Sequence, residues 1–287
     1  MPALPQSPVV VLAGGTGGAK FARGMLEVVG SDLVVIANTG DDIVIHDAHV
    51  SPDPDLICFH LADRIDERGW GLDGDTFEYM RSQDHWFNLG DEDREIGIRR
   101  RRLLESGGTL TEAIADLARD LRIAATVLPM SDAPVRTEIR SGGRWIGFQE
   151  FMVKERAAVP IEDVRFAGAS QARPTTAVLA AIATARAIVI GPSNPVASIG
   201  PILAVCRDAI ATAAAPVIAI SPLVAGRVLK GPTREFMEWS GHEVTDDGVT
   251  AYYGNLIDSL ITDDSPITAE NRAGLAQATL DLAAAIT

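Results

Sequence analysis

The stretch VVVLAGGTGGAK, Val9 to Lys20, decides how the chain folds. Val9 to Leu12 is a short apolar run of the kind buried on both faces of a parallel sheet. Gly14, Gly15, Gly17 and Gly18 follow, interrupted only by Thr16, and a helical pattern opens at Ala19. Strand, glycine turn and helix make a phosphate cradle. Glycine lets backbone N–H groups approach an anion, and the helix N-terminus adds a favourable dipole. The same turn also suits tight packing with no ligand. It is neither of two common nucleotide signatures. A P-loop needs Ser or Thr after its lysine, and a dinucleotide fingerprint running from Gly15 and Gly17 needs Gly where Lys20 stands.

Composition bounds the ligand. The chain has 287 residues, 47% hydrophobic and 22% charged, enough for a full core in one large or two modest domains. Aromatics are only 5%, so aliphatic side chains must fill that core. A net charge of −14 argues against a general nucleic-acid binder, which presents a basic face. It does not forbid an anionic ligand; backbone amides, local cations or a metal must then meet the phosphate. Cys58 and Cys206 stand in apolar helical patterns and read as buried free thiols of a reducing compartment. The N-terminal MPALPQSP has neither the basic region nor the apolar run of a signal peptide, and no segment approaches the roughly 18 apolar residues of a membrane span. The expectation is a cytoplasmic protein with no membrane and no nucleic-acid partner.

Outward from the glycine turn, a helix over 19–29 and a strand from Leu33 to Ala37 complete a βαβ unit. Ile43 to Val50 reads as a strand or edge segment. Asp55, after the prolines of SPDPD (51–55), reads as the N-cap of a helix from Leu56 to Glu67. Residues 69–122 look mainly helical: Asp75 and Thr76 open one helix, Asp91 to Glu105 forms a second, and Thr109 begins a third. A strand at 125–128, a hairpin of 137–139 with 145–148 and a short strand at 164–166 follow. The α/β rhythm then resumes, with strands at 187–190 and 217–220, helices near 175–185 and 200–214, and a tail helix over 268–286. The fold class is α/β: a Rossmann-like, doubly wound, mostly parallel sheet with a helical insertion and a small β-hairpin. It reads as a single catalytic domain over 1–287, with core 1–55 and 123–287 and an insertion of about 56–122.

In such sheets ligands sit beyond the carboxyl ends of the strands. Here those ends carry GGTGG, NTGDD, LPMSD, GPSNP and SPL. NTGDD (38–42) is either a solvated turn or a Mg²⁺ site built on Asp41 and Asp42, since Mg²⁺ takes one or two carboxylates and keeps water and phosphate oxygens. SPDPD is either a proline-stiffened cap or a source of carboxylates that ligate metal or accept a hydroxyl proton. Asp91 to Asp93, ahead of an arginine-rich helix, can cap it or bind metal. Arg99 to Arg102 reads first as a solvated face. In GPSNP (191–195) Ser193 and Asn194 are held at a strand end, able to hydrogen-bond a nucleotide. No histidine pair has metal-type spacing, and there is neither a G-x-S-x-G elbow nor a catalytic cysteine context.

Taken together, AGGTGGAK (13–20), NTGDD, SPDPD, RGWGLDGDTF (68–77), LGDED (89–93), LPMSDAPVRT (128–137), FQEF (148–151), GPSNPVASIGPIL (191–203) and SPLVAGRVLKGP (221–232) resemble the 2-phospho-L-lactate transferase family of coenzyme F420 biosynthesis, whose actinobacterial members are called phosphoenolpyruvate transferases. The resemblance implies a homodimer and a Mg²⁺-dependent transfer. A guanosine diphospho-linked lactyl, enolpyruvyl or glyceryl donor would meet the terminal ribityl hydroxyl of the deazaflavin Fo, with GMP leaving. Because the glycine loop and GPSNP both follow strand ends on one edge of the sheet, Gly14, Gly15, Thr16, Gly17, Gly18, Ser193 and Asn194 are expected on the nucleotide and its phosphates. The resemblance places Asp55 and Asn88 on the deazaflavin; from the acidic loops themselves, Asp53 and Asp55 are the catalytic candidates and Asp41, Asp42 and Asp91 the metal candidates. Two departures fall on the acceptor side: Asn88 stands where the family has Lys or Arg, and EDREIGIRR (92–100) where relatives read like RDxATHIxR. The alternative is a sugar-nucleotide-binding regulatory protein of the gluconeogenesis-factor type, without catalysis.

Overall fold

The computed structural model describes residues 4–82 and 85–286. Along the chain run β1 (Val9–Ala13), α1 (Gly15–Val29), β2 (Leu33–Ala37), β3 (Ile43–Ile45), β4 (Ala48–Val50), α2 (Pro52–Leu61), α3 (Asp91–Glu105), α4 (Leu110–Asp120), β5 (Thr126–Pro129), β6 (Arg136–Ser141), β7 (Arg144–Gly147) and β8 (Asp163–Ala167). There follow α5 (Thr176–Thr184), β9 (Ala187–Ile190), α6 (Gly200–Ala211), β10 (Val217–Val224), α7 (Thr233–Trp239), α8 (Asp246–Tyr253), β11 (Ser259–Asp263) and α9 (Arg272–Ile286).

Six strands form one parallel sheet in the order β11-β10-β9-β1-β2-β5. β1 lies inside it, all five of its residues buried, which is why its sequence is an unbroken apolar run. Alternate residues feed different cores. Val9, Val11 and Ala13 pack with Phe21 and Met25 of α1 and Ile57 of α2. Val10 and Leu12 pack with Val178 of α5, Ile202 and Cys206 of α6, and Tyr253 of α8. Full burial of such a side chain stabilises by about 1.5–3 kcal/mol. Among the described residues no helix is long and apolar enough to cross a membrane.

Several boundaries differ from the sequence reading. Helix α1 begins at Gly15, not Ala19, so the glycine turn is its first turn. Helix α2 begins at Pro52 behind Ser51, because proline suits a first helical position; Asp55 lies inside the first turn and is not the cap. Residues 43–50 form a two-stranded antiparallel ribbon. Asp75 and Thr76 open no helix. The Asp75 carboxylate instead accepts the N–H groups of Glu92 and Asp93, at 2.9 and 3.0 Å, and so holds the start of α3. The hairpin of β6 and β7 is joined by β8 in a three-stranded antiparallel sheet. The sequence reading missed α7, α8 and β11; β11 supplies the edge of the main sheet.

Candidate active site

The winding reverses between β1 and β9: β1 leads to β2 and β5 on one side, β9 to β10 and β11 on the other. A crevice opens beyond the strand ends at such a switch point. Here it is a cleft of about 540 Å³ that includes Gly14, Gly15, Thr16, Gly17, Lys20, Asp41, Asp53, Ser193, Asn194 and Ser198 in its walls.

The glycine turn forms one wall. Gly15 has φ +63°, a left-handed conformation that glycine adopts without strain. Its N–H donates to Asp53 Oδ1 at 2.6 Å, and the Gly14 N–H to Ser193 Oγ at 3.4 Å. A Cβ on Gly17 would run into the Pro192 carbonyl oxygen, so α1 and the turn after β9 meet backbone to backbone. The packing reading therefore holds for Gly17, and Gly18 approaches the Ser193 hydroxyl in the same way. The first-turn amides of Thr16 and Gly17 have no intrahelical acceptor and belong to the cleft wall. Asn194 Oδ1 accepts from the Val196 and Ala197 N–H groups at 3.0 Å each and caps the π-helical turn Pro195–Ile199. Its NH₂ group and the Ser193 hydroxyl hydrogen are what this turn offers a ligand.

Carboxylates form the other wall. Asn38, fully buried at the end of β2, donates from Nδ2 to Asp41 Oδ1 at 3.0 Å and to Asp53 Oδ2 at 2.8 Å, one hydrogen to each. Burial, and then the charge of Asp53, pushes the Asp41 carboxyl well up. Burial pushes Asp53 up to about 6, against the opposite pull of its Gly15 and Asn38 hydrogen bonds. Asp42 is taken by the Ser51 hydroxyl at 2.7 Å and His49 Nε2 at 3.0 Å. Asp55 is buried with both oxygens on the Arg100 guanidinium, whose side chain is 2% exposed.

The structure thus joins Gly14 to Gly17, Asp41, Asp53, Ser193 and Asn194 around one cleft, while Gly18 is buried against Ser193 and Ala13 outside its lining and Asp42 is held in the hydrogen-bonded loops. Asp91 is not part of that network. Its carboxylate accepts from the Thr76 hydroxyl and the Glu78 and Tyr79 N–H groups, and these bonds hold it below the usual range. Asn88 is exposed. Sequence reasoning passed over Asn38 as the bridge between carboxylates, Lys20 and Ser198 in the cleft wall, and Arg100 as the partner of Asp55. For Arg100 a signal existed: it follows Ile96 by four positions, on the buried stripe of α3. Both cysteines are buried free thiols pushed up by burial, Cys206 to about 12, which excludes them as nucleophiles.

The donor set suits Mg²⁺. Asp41 and Asp53 are buried hard-oxygen donors on the cleft, and their mutual repulsion favours a cation. Among the described residues no group of three His, Cys, Asp or Glu side chains could hold a metal unaided, so phosphate and water would complete the shell.

A parallel α/β sheet with a glycine-rich helix start and buried carboxylates at its switch point is an architecture in which α/β proteins bind phosphorylated ligands. The chain belongs to the 2-phospho-L-lactate transferase CofD family, whose sequence model matches residues 9–284, and is a transferase. It is 38% identical to a phosphoenolpyruvate transferase of Kitasatospora aureofaciens, over 93% of this chain and 89% of that one. It is 34% identical to a 2-phospho-L-lactate transferase of Methanococcoides burtonii, over 91% and 87%. A member of the UPF0052 family from Bacillus halodurans shares the fold, with a TM-score of 0.61 at 19% identity, over 97% of this chain and 100% of that one. Membership in a family of transferases displaces the alternative of a regulatory protein without catalysis.

Proposed function

We propose that the protein is a Mg²⁺-dependent transferase of coenzyme F420 biosynthesis. It would move a phospho-hydroxyacid group from a guanosine diphospho-linked donor to the deazaflavin Fo. The observation that carries this reading is the meeting, in one cleft, of the first-turn amides of α1 with the Asn38-bridged carboxylates Asp41 and Asp53. Anion-binding amides and metal-ready acids side by side in one cleft are what in-line phosphoryl chemistry needs, since it depends on positioning and charge neutralisation more than on a protein nucleophile.

The Thr16 and Gly17 amides and Lys20 would hold the diphosphate. A Mg²⁺ on Asp41 would neutralise phosphate charge in a site that is otherwise acidic. The terminal ribityl hydroxyl attacks the phosphorus bearing the acid; a P–O bond forms, the bond to GMP breaks, and GMP leaves with the electron pair. Asp53, on the cleft beside Asp41, takes the hydroxyl proton. Asp55 has its oxygens engaged by Arg100 and serves the acceptor wall by tying α2 to α3, with Asn88 on that side offering neutral hydrogen bonds to Fo.

The test is incubation with Fo, Mg²⁺ and each candidate donor, followed by mass spectrometry. The expected result is F420-0 or its dehydro or glyceryl analogue together with GMP. Absence of product with every donor would reject the reading.

A further inference from the structure

Beyond the phosphate end, the cleft continues across the ends of β9 and β10 to β11, and its lining changes character. Phe148, Met152, Leu223, Leu229 and Ile267 make this half apolar, and among them stands a carboxylate, Asp263, the last residue of β11. Two bonds fix its position. Asp263 Oδ1 accepts from the Ser265 N–H at 2.9 Å, and its backbone carbonyl from the Ala225 N–H at 3.2 Å. Among the described residues Oδ2 has no hydrogen-bond partner and no cation is paired with it. From β1 to β11 is three strand spacings, roughly 14 Å. An extended nucleoside diphosphate with its phosphates at the start of α1 spans that distance.

We infer that Asp263 reads the base of the donor nucleotide and selects guanine; this rests on the nucleotide-donor reading above. A carboxylate accepts and cannot donate, and an oxygen that already takes one N–H has a second lone pair. Guanine alone among the common bases presents two adjacent donors on one edge, N1–H and the N2 amino group, in the spacing that two carboxylate oxygens accept. Adenine turns the N1 lone pair toward the same oxygens and is repelled. The apolar side chains can cover the faces of the base, and the lower local dielectric strengthens the paired bonds.

The test is calorimetric titration of GDP, IDP, XDP and ADP, with Mg²⁺, into the wild type and Asp263→Asn. The wild type is expected to bind GDP best. IDP, which lacks the amino group, should bind more weakly by roughly 10-fold or more, and ADP most weakly. The asparagine keeps an oxygen for Ser265 and offers its NH₂ to the C2 carbonyl of xanthine. The variant should therefore lose about 10- to 100-fold for GDP and gain for XDP. Equal wild-type affinity for GDP and IDP, or a variant that neither loses GDP nor gains XDP, would overturn the assignment. The GDP–IDP comparison needs no variant and stands even if Asp263→Asn fails to fold. Failure of the wild type to bind any of the four would sink the nucleotide-donor reading itself, whereas tight binding without base discrimination would sink only the role of Asp263.

Discussion

The two walls of the cleft are built on opposite principles. On the glycine wall, backbone touches backbone: α1 meets the turn after β9 with no side chain between, and the local hydrogen bonds are made by amides, Ser193 and Asn194. On the acid wall, Asp41 and Asp53 line the cleft, Asp42 and Asp55 are buried in the same stretch of chain outside its lining, and Arg100 is the buried cation that pairs with Asp55. The first wall gives its Gly15 N–H to Asp53 and leaves the Thr16 and Gly17 amides without an intrahelical acceptor. The second carries more negative charge than its partners balance, a local conflict of the kind expected where function rather than stability sets the residues.

That contrast can be broken most forcefully at Arg100. Removing one partner of a buried ion pair costs about 3–5 kcal/mol, because the other charge is left buried and alone. Arg100→Met should therefore lower stability in urea by that amount. Arg99→Ala, one residue away, loses only a bridge from a half-exposed side chain to Asp120 and should cost less than about 1 kcal/mol. Equal losses would mean that the Asp55 pair is not what holds the acid wall together.

A smaller effect should appear in the pH dependence of the metal-free protein. The folded chain holds a proton on Asp53 more tightly than the unfolded chain, about 6 against 3.8. Stability should then fall as pH rises through that window and level off above it, by up to about 3 kcal/mol from this group. Asp53→Asn should flatten that limb of the urea midpoint against pH. A wild-type profile that rises over the window, or a variant with the same slope as wild type, would contradict the raised carboxyl. The smallest effect belongs to position 88. A charge-assisted hydrogen bond is roughly twice as strong as a neutral one. Asn88→Lys should lower the Michaelis constant for Fo a few-fold and leave that for the donor unchanged; a change confined to donor kinetics would remove residue 88 from the acceptor side.

The glycine wall was legible from sequence because its causes are local. β1 and β9 are apolar runs bounded by glycine, and Ser193-Asn194 sits between prolines. Only the start of α1 was misjudged, since glycine is a poor helix former whose cost is tolerated in a first turn fixed by tertiary contacts. The acid wall was legible as composition but not as geometry. That Asn38 divides its amide between two carboxylates, or that Asp75 and Asp91 cap neighbouring segments, depends on pairings across 12 to 18 residues and leaves no periodic trace. Asp93 shows the limit: burial and the charge of Asp55, distant in sequence, push it up to about 8, with the adjacent Glu92 adding least. β11 escaped notice because SLITD is short and only half-buried, as suits an edge strand.

A phosphorylated nucleotide docked on the first turn of α1 would cover the Thr16 and Gly17 amides. Amide hydrogen exchange of Thr16 and Gly17, read with and without GDP and Mg²⁺, tests it most directly. These amides, which lack an intrahelical acceptor in the free protein, should become protected when GDP binds. Saturating GDP that leaves their exchange unchanged while protecting another part of the chain would contradict it.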